Sequence, residues 1–191
     1  NIFINFKRDA LKLSEEEFAN KYKEIEGVLF SRNTDLNEEC IEMIFDKVLG
    51  ESVLEVGCGK CVLANKLSEK YSVTTADIVI ANDLQKKFPN IALKEANIEA
   101  LPFKDDEFDT VVCTHTLEHV QNLFEAIKEL RRIAKKRIII VVPKQRPYKF
   151  TFDLHLHFFP YTHSLLTIMG TKRKNSCKVV GGDLFYVEDI E

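Results

Sequence analysis

Several short stretches carry residue types and spacings that could do chemistry. The first is LEVGCGKC, Leu54 to Cys61, with a carboxylate, two glycines and two thiols in eight residues. Gly57 and Gly59 can take backbone conformations closed to other residues and let a ligand approach the main chain. Free amides at the start of a following helix favour negative or polar groups. The loop is not the G-x-G-x-x-G fingerprint of hydride-transfer enzymes, because counting from Gly57 the last position is Val62. It also lacks the G-K-[ST] of a phosphate-binding P-loop. Cys58-x-x-Cys61 could hold zinc or do redox chemistry, but a single CxxC without a second pair is a weak signal, and no metal site is expected. Asp77 lies 20 residues beyond Gly57, where a carboxylate at a strand end can accept two hydrogen bonds from ribose hydroxyls.

The stretch Asp153-Leu154-His155-Leu156-His157 offers acid–base chemistry. If it is extended, His155 and His157 share one face and the leucines the other. An imidazole with a pKa near 6.5 could take a proton from a hydroxyl or amine. Packing within the segment and a two-His-plus-Asp metal set are the alternatives. Lys144, Arg146 and Lys149 precede it and could hold an anionic substrate or form an ordinary charged loop. RRIAKKR reads as a solvated helix terminus.

Alternating strands and helices must position these groups. SVLEV, YSVTTADI, NIALKEA, FDTVVCT and RIIIVVP read as strands, with helices from about Val62, around Asp83 to Phe88, and from Gln121 to Ala134. In the last, Leu123, Phe124, Ile127, Leu130 and Ala134 form one apolar stripe. Such alternation implies a parallel sheet with helices on both faces, and IIIVV is the strand expected to be buried on both sides. The first 50 residues read as helix, with capping-box spacing at Ser14-x-x-Glu17 and Asp35-x-x-Glu38. After Pro143 the alternation fails. An insertion rich in aromatic residues (Tyr148, Phe150, Phe152, Phe158, Phe159, Tyr161) leads to a short helix near Thr162 to Met169. Two final strands follow, NSCKVV and DLFYVE, with Gly181-Gly182 as a tight turn between them. The expectation is one domain over 1–191: a helical cap at 1–50, a cofactor-binding core at 51–142, and a substrate-side insertion with the final strands at 143–191.

Composition narrows the partners. At 191 residues and a net charge of -3 the chain can bury a sizeable core and has no excess of positive charge for nucleic acid. No apolar run is long enough to span a membrane. Five scattered cysteines do not resemble a secreted disulfide framework, so a reducing, cytoplasmic setting is expected.

LEVGCG, TTADI and NIEALPFKDDEFDTVVCTHTLEHV, in that order between about Val53 and Pro143, resemble the class I S-adenosylmethionine-dependent methyltransferase family. The nearer likeness is to its branch with the LPF…FD…LEH pattern. The resemblance implies an α/β fold, Rossmann-like and doubly wound, with a mostly parallel seven-stranded sheet. It also implies S-adenosylmethionine as cofactor and S-adenosylhomocysteine as product. Glu55, Gly57, Cys58 and Gly59 correspond to the motif that holds the cofactor's amino-acid end. Asp77, with Ile78 beside it, corresponds to the ribose site, and Asn97 and Ile98 to the adenine site. Thr114, His115 and Leu117 follow the fourth strand at the mouth facing the sulfur. His115 thereby joins His155 and His157 as a candidate catalytic residue. Glu118 and His119 belong to the LEH signature. Cys61 stands where the family has a third glycine, and Asn97 where aspartate is commoner. The implied acceptor is an oxygen or nitrogen of a small molecule or a glycan-like metabolite, with a methyltransferase acting on protein or RNA, or a noncatalytic cofactor-binding scaffold of the same fold, as the alternatives.

Overall fold

A computed structural model describes residues 2–29, 33–148, 153–170 and 172–190. Its centre is β5 (Ala134–Pro143), where Ile138 to Val142 are all fully buried. A strand that is apolar on every residue can only lie between two covering layers. It pairs in parallel with β4 (Phe108–Thr114), which pairs in parallel with β1 (Ser52–Val56). Next come β2 (Ser72–Asp77) and β3 (Ala92–Glu95), also parallel. On the other side β7 (Asp183–Asp189) runs antiparallel to β5, and β6 (Asn175–Val180) antiparallel to β7. The sheet order is β3-β2-β1-β4-β5-β7-β6. Gly181 and Gly182, at φ +55° and +97°, make the two-residue turn of the last hairpin.

Helices cover both faces. On one, α6 (Leu123–Ile133) and α7 (Thr162–Met169) close a core with Leu54, Val111, Ile138 and Tyr186. On the other, α3 (Glu38–Lys47) and α4 (Val62–Leu67) pack Ile41, Ile44, Leu63 and Leu67 against Val53, Val112 and Ile139. A single turn, α5 (Leu84–Lys87), links β2 to β3. The helix preceding β1 begins two residues later than its capping-box spacing suggests. Asn37, not Asp35, caps it, with Oδ1 accepting from Cys40 N at 2.9 Å. Phe124 leaves the apolar stripe of α6 and is 69% exposed, because the sheet-facing arc is filled by Leu123, Ala126, Ile127, Leu130 and Ile133. RRIAKKR is more than a solvated terminus. Arg131 clamps the fully buried Glu188 at 2.7 and 2.6 Å, and Arg137 pairs with Asp189 at 2.6 Å.

The first 50 residues divide between two places. α3 belongs to the sheet layers, whereas α1 (Ile2–Asp9) and α2 (Glu15–Leu29) lie over the carboxyl ends of the strands. The capping box at the start of α2 forms as its spacing implies: Ser14 N donates to Glu17 Oε2 at 2.8 Å, and Glu17 N to Ser14 Oγ at 3.3 Å. Phe6, Ala10 and Phe18 pack on Leu154 of the insertion, with Tyr22 and Ile78 at the margin. Gln121 Nε2 fastens this cap, donating to Ala10 O at 2.7 Å and Leu13 O at 3.0 Å.

Candidate functional site

The glycine loop, the ends of β2 and β4, the insertion and α2 line a cavity of about 780 Å³. In open parallel sheets ligands bind beyond the carboxyl ends of the strands, and this cavity is there. The two glycines serve it differently. Gly57 has φ +78°, and a Cβ on it would stand 1.8 Å from Thr116 Oγ1, so the β1 and β4 turns meet there with no room for a side chain. Gly59 has φ +48° and nothing within 4 Å of a Cβ, so its bare backbone faces open space. Cys61 also takes the left-handed conformation, φ +58°, at the N-terminus of α4. That geometry favours the glycine it replaces.

Asp77 joins the loop to the end of β2. Its Oδ2 accepts from Gly59 N at 2.8 Å and its Oδ1 from Val79 N at 3.2 Å. Glu55 is 2% exposed, Oε2 has no hydrogen-bond partner, and burial pushes its carboxyl well above the usual range. Such an orphaned acceptor suits a ligand ammonium. Asn97 caps a 3-10 turn at Ile98–Ala100, with Oδ1 accepting from Glu99 N at 3.0 Å. The bond keeps one lone pair and the amide hydrogens free of that capping role.

Glu55, Gly57, Cys58, Gly59, Asp77, Ile78, Asn97, Ile98, Thr114, His115 and His155 all line the cavity. Leu117 and His157 do not. Leu117 is fully buried in the core beneath α6, and His157 Nε2 lies 2.9 Å from Val120 O. The insertion contributes Gln145, Asp153, Leu154 and His155 to the wall, while its described aromatic residues go elsewhere. Phe159 is core, Tyr148 and Phe158 form an edge-on pair, and Tyr161 stacks on His163. Lys149, Phe150 and Phe152 fall outside the described residues. The aromatic wall comes instead from Phe18 and Tyr22 of α2, whose spacing of four residues gave no sign of it beyond an apolar helix face.

Titratable groups gather at the end of the cavity after β4. His115 is held at φ +49°, strained for a non-glycine residue, with its amide donating to Val141 O at 2.9 Å. Its Nε2 is 3.3 Å from Asp183 Oδ2 and its Nδ1 3.6 Å from Glu118 Oε1. Burial opposes charge on this ring, but Asp183 and Glu118 outweigh it and raise the pKa. Glu118 is 1% exposed, and burial lifts its carboxyl to about 7. His119 and His155 sit edge to face at 4.7 Å, and burial lowers them to about 3 and about 4. The insertion is pinned there by its backbone, with Leu156 N and His157 N donating to Glu118 O at 2.7 and 3.0 Å. Glu118 and His119 were visible as part of LEH, but their site role depends on the insertion folding onto them, a contact across more than thirty residues.

The sheet order, with only the last strands antiparallel, and a cradle built from Glu55, Gly59, Asp77 and Asn97 define a class I methyltransferase domain. Residues 54–142 match the family model described as "Methyltransferase domain". The chain belongs to the class I S-adenosylmethionine-dependent methyltransferases, and S-adenosylmethionine is their cofactor. An uncharacterized protein, MJ0638, of Methanocaldococcus jannaschii is 37% identical over 143 residues, covering 70% of this chain and 59% of that protein. A ubiquinone biosynthesis O-methyltransferase of Paracidovorax citrulli is 30% identical over 95 residues, 45% of this chain and 40% of its own length. The chain thus spans about half the length of these curated relatives. A crystal structure of Burkholderia thailandensis 1,6-didemethyltoxoflavin-N1-methyltransferase, with its substrate and S-adenosylhomocysteine, superposes with a TM-score of 0.69. It is 14% identical, covering 96% of this chain and 88% of that one, and shares the fold.

Proposed function

We propose that this chain transfers a methyl group from S-adenosylmethionine to an oxygen or nitrogen of a small-molecule or glycan-like acceptor. The observation that carries the reading is the size of the cavity. About 780 Å³ must hold the cofactor and the acceptor together, under a roof formed by α2 and the insertion. That volume is typical of small-ligand sites. The O-methyltransferase relative and the N-methyltransferase with the same fold support this acceptor class.

Methyl transfer needs little from the protein beyond alignment. The acceptor's lone pair forms the new bond to the methyl carbon while the carbon–sulfur pair stays on sulfur, leaving a neutral thioether. Holding nucleophile, carbon and sulfur in line and excluding water supplies most of the acceleration. A protonated acceptor also has to lose its proton. Glu118 and His155, beside the cavity, stand where that proton leaves.

The test uses tritium-labelled methyl donor and a cell extract separated by size. Enzyme-dependent label in the small-molecule fraction is the expected result. Label confined to protein or RNA would overturn the acceptor class. S-adenosylhomocysteine binding with no transfer to either fraction would point to a noncatalytic scaffold.

A further inference from the structure

We infer that Glu118, His119 and His155 form a binding site for a divalent transition cation at the acceptor end of the cavity. One ligand atom from each lies within 4.8 Å of the others. At a tetrahedral zinc centre, ligands about 2.1 Å from the metal stand about 3.4 Å apart, so closing this set asks for side-chain shifts of the order of an ångström. Two imidazoles and a carboxylate are the donor types that such cations select, and three protein ligands leave coordination positions open.

The polar groups of this cluster lack what a cation would supply. Both oxygens of Glu118 are buried and without a hydrogen-bond partner, and so is Nδ1 of His119. Buried acceptors without donors are uncommon and call for a missing partner. His155 is already oriented for ligation. Its Nδ1 lies 2.7 Å from Gln145 Oε1, which fixes the N–H on that side and leaves the Nε2 lone pair for a metal. The surrounding field also favours a cation. Asp35, Asp77, Asp153 and Asp183 line the cavity, against Lys60 as the single lysine or arginine among the described lining residues.

This site differs from the two metal sets suggested by the sequence. The His155/His157 pair does not form, because His157 turns to Val120 O. Cys58 and Cys61 contact one another at 3.6 Å, in the cofactor loop. Cation binding here does not depend on the methyl-transfer reading. Using an open coordination position to orient an acceptor oxygen does rest on that reading.

Chelator-stripped full chain should be titrated with Zn²⁺ by calorimetry and with Co²⁺ by absorption spectroscopy, alongside S-adenosylhomocysteine binding. The expected result is one equivalent of metal and no thiolate-to-cobalt charge-transfer band. Glu118→Gln and His155→Ala should each weaken metal binding by at least tenfold while S-adenosylhomocysteine still binds, which shows a folded domain. Gln145→Ala should weaken it about 10–100-fold by releasing the His155 ring. Cys61→Ser should leave it unchanged. No stoichiometric metal in the parent chain would overturn the site. So would metal that survives both Glu118→Gln and His155→Ala, or that is lost only with Cys61→Ser. Failure of S-adenosylhomocysteine to bind the parent would strike the methyl-transfer reading and leave the metal result standing by itself.

Discussion

Replacing Asp77 tests the ribose contact proposed for it. Its two oxygens accept from Gly59 N at 2.8 Å and Val79 N at 3.2 Å. A carboxylate oxygen carries two lone pairs, so one oxygen can serve a backbone amide and a ribose hydroxyl together. Asp77→Asn keeps the size and one acceptor oxygen. With that oxygen turned to Gly59, the variant loses the longer bond to Val79 and one charged bond to the ribose. A hydrogen bond to a charged group contributes about 1.5–3 kcal/mol, so the dissociation constant should rise roughly 10–100-fold. Asp77→Ala should do worse, since it also frees Gly59 N and loosens the loop. Calorimetry with S-adenosylhomocysteine measures both, and thermal unfolding separates loop damage from lost contact. For Asp77→Asn the melting shift should reflect at most the one bond lost at Val79 N, which is long at 3.2 Å and, as a bond to a charged group, worth no more than about 1.5–3 kcal/mol. An Asp77→Asn protein that binds within twofold of the parent would remove Asp77 from the ribose site.

Gly57→Ala should destabilise the fold and abolish cofactor binding, since its Cβ would meet Thr116 Oγ1 at 1.8 Å. Gly59→Ala has open space and should cost only the left-handed backbone term, about 1–2 kcal/mol; chemical denaturation compares the two. Arg131→Met should cost about 3–5 kcal/mol in urea unfolding, because it leaves the fully buried Glu188 without its main cation. Acid should destabilise the chain through His119. Its folded pKa of about 3 lies below the ordinary 6.5, so the unfolded state binds the extra proton and stability falls as pH drops below 6.5 toward 3. Glu118 works the other way: raised from 4.5 to about 7, it contributes stability at low pH that is lost as pH rises through that window. His119→Gln should therefore flatten the acid limb of a stability–pH curve, and an unchanged limb would show that His119 is not buried neutral.

The strands were legible because burial on both faces leaves an unmistakable apolar run, as in Ile138 to Val142. The residues of the cavity floor were legible because they sit at strand ends and in one tight turn, where local backbone demands fix residue type. Gly57, Gly59 and Asp77 are of this kind. The acceptor end was not, because it is assembled from afar. Glu118 and His119 follow β4, His155 arrives from the insertion, and Phe18 and Tyr22 descend from a helix near the N-terminus. No periodicity in one segment announces which distant segment will cover it. The same cause explains His157. Its alternation with His155 implied a shared face, but His157 Nε2 turns to Val120 O, a partner supplied by the distant segment after β4. Asn37 displaced Asp35 as the cap of α3 for a tertiary reason, since its Nδ2 also reaches Asp183 at 3.0 Å across the last hairpin.

A crystal structure of the chain with S-adenosylhomocysteine tests the central claim most directly. The account predicts the adenine beside Asn97 and Ile98, the ribose on Asp77, the amino-acid end at Glu55 and Gly59, and the sulfur directed toward His115, Glu118 and His155. Electron density placing the cofactor outside this cavity, or reversed so that its sulfur points away from those three residues, would contradict it.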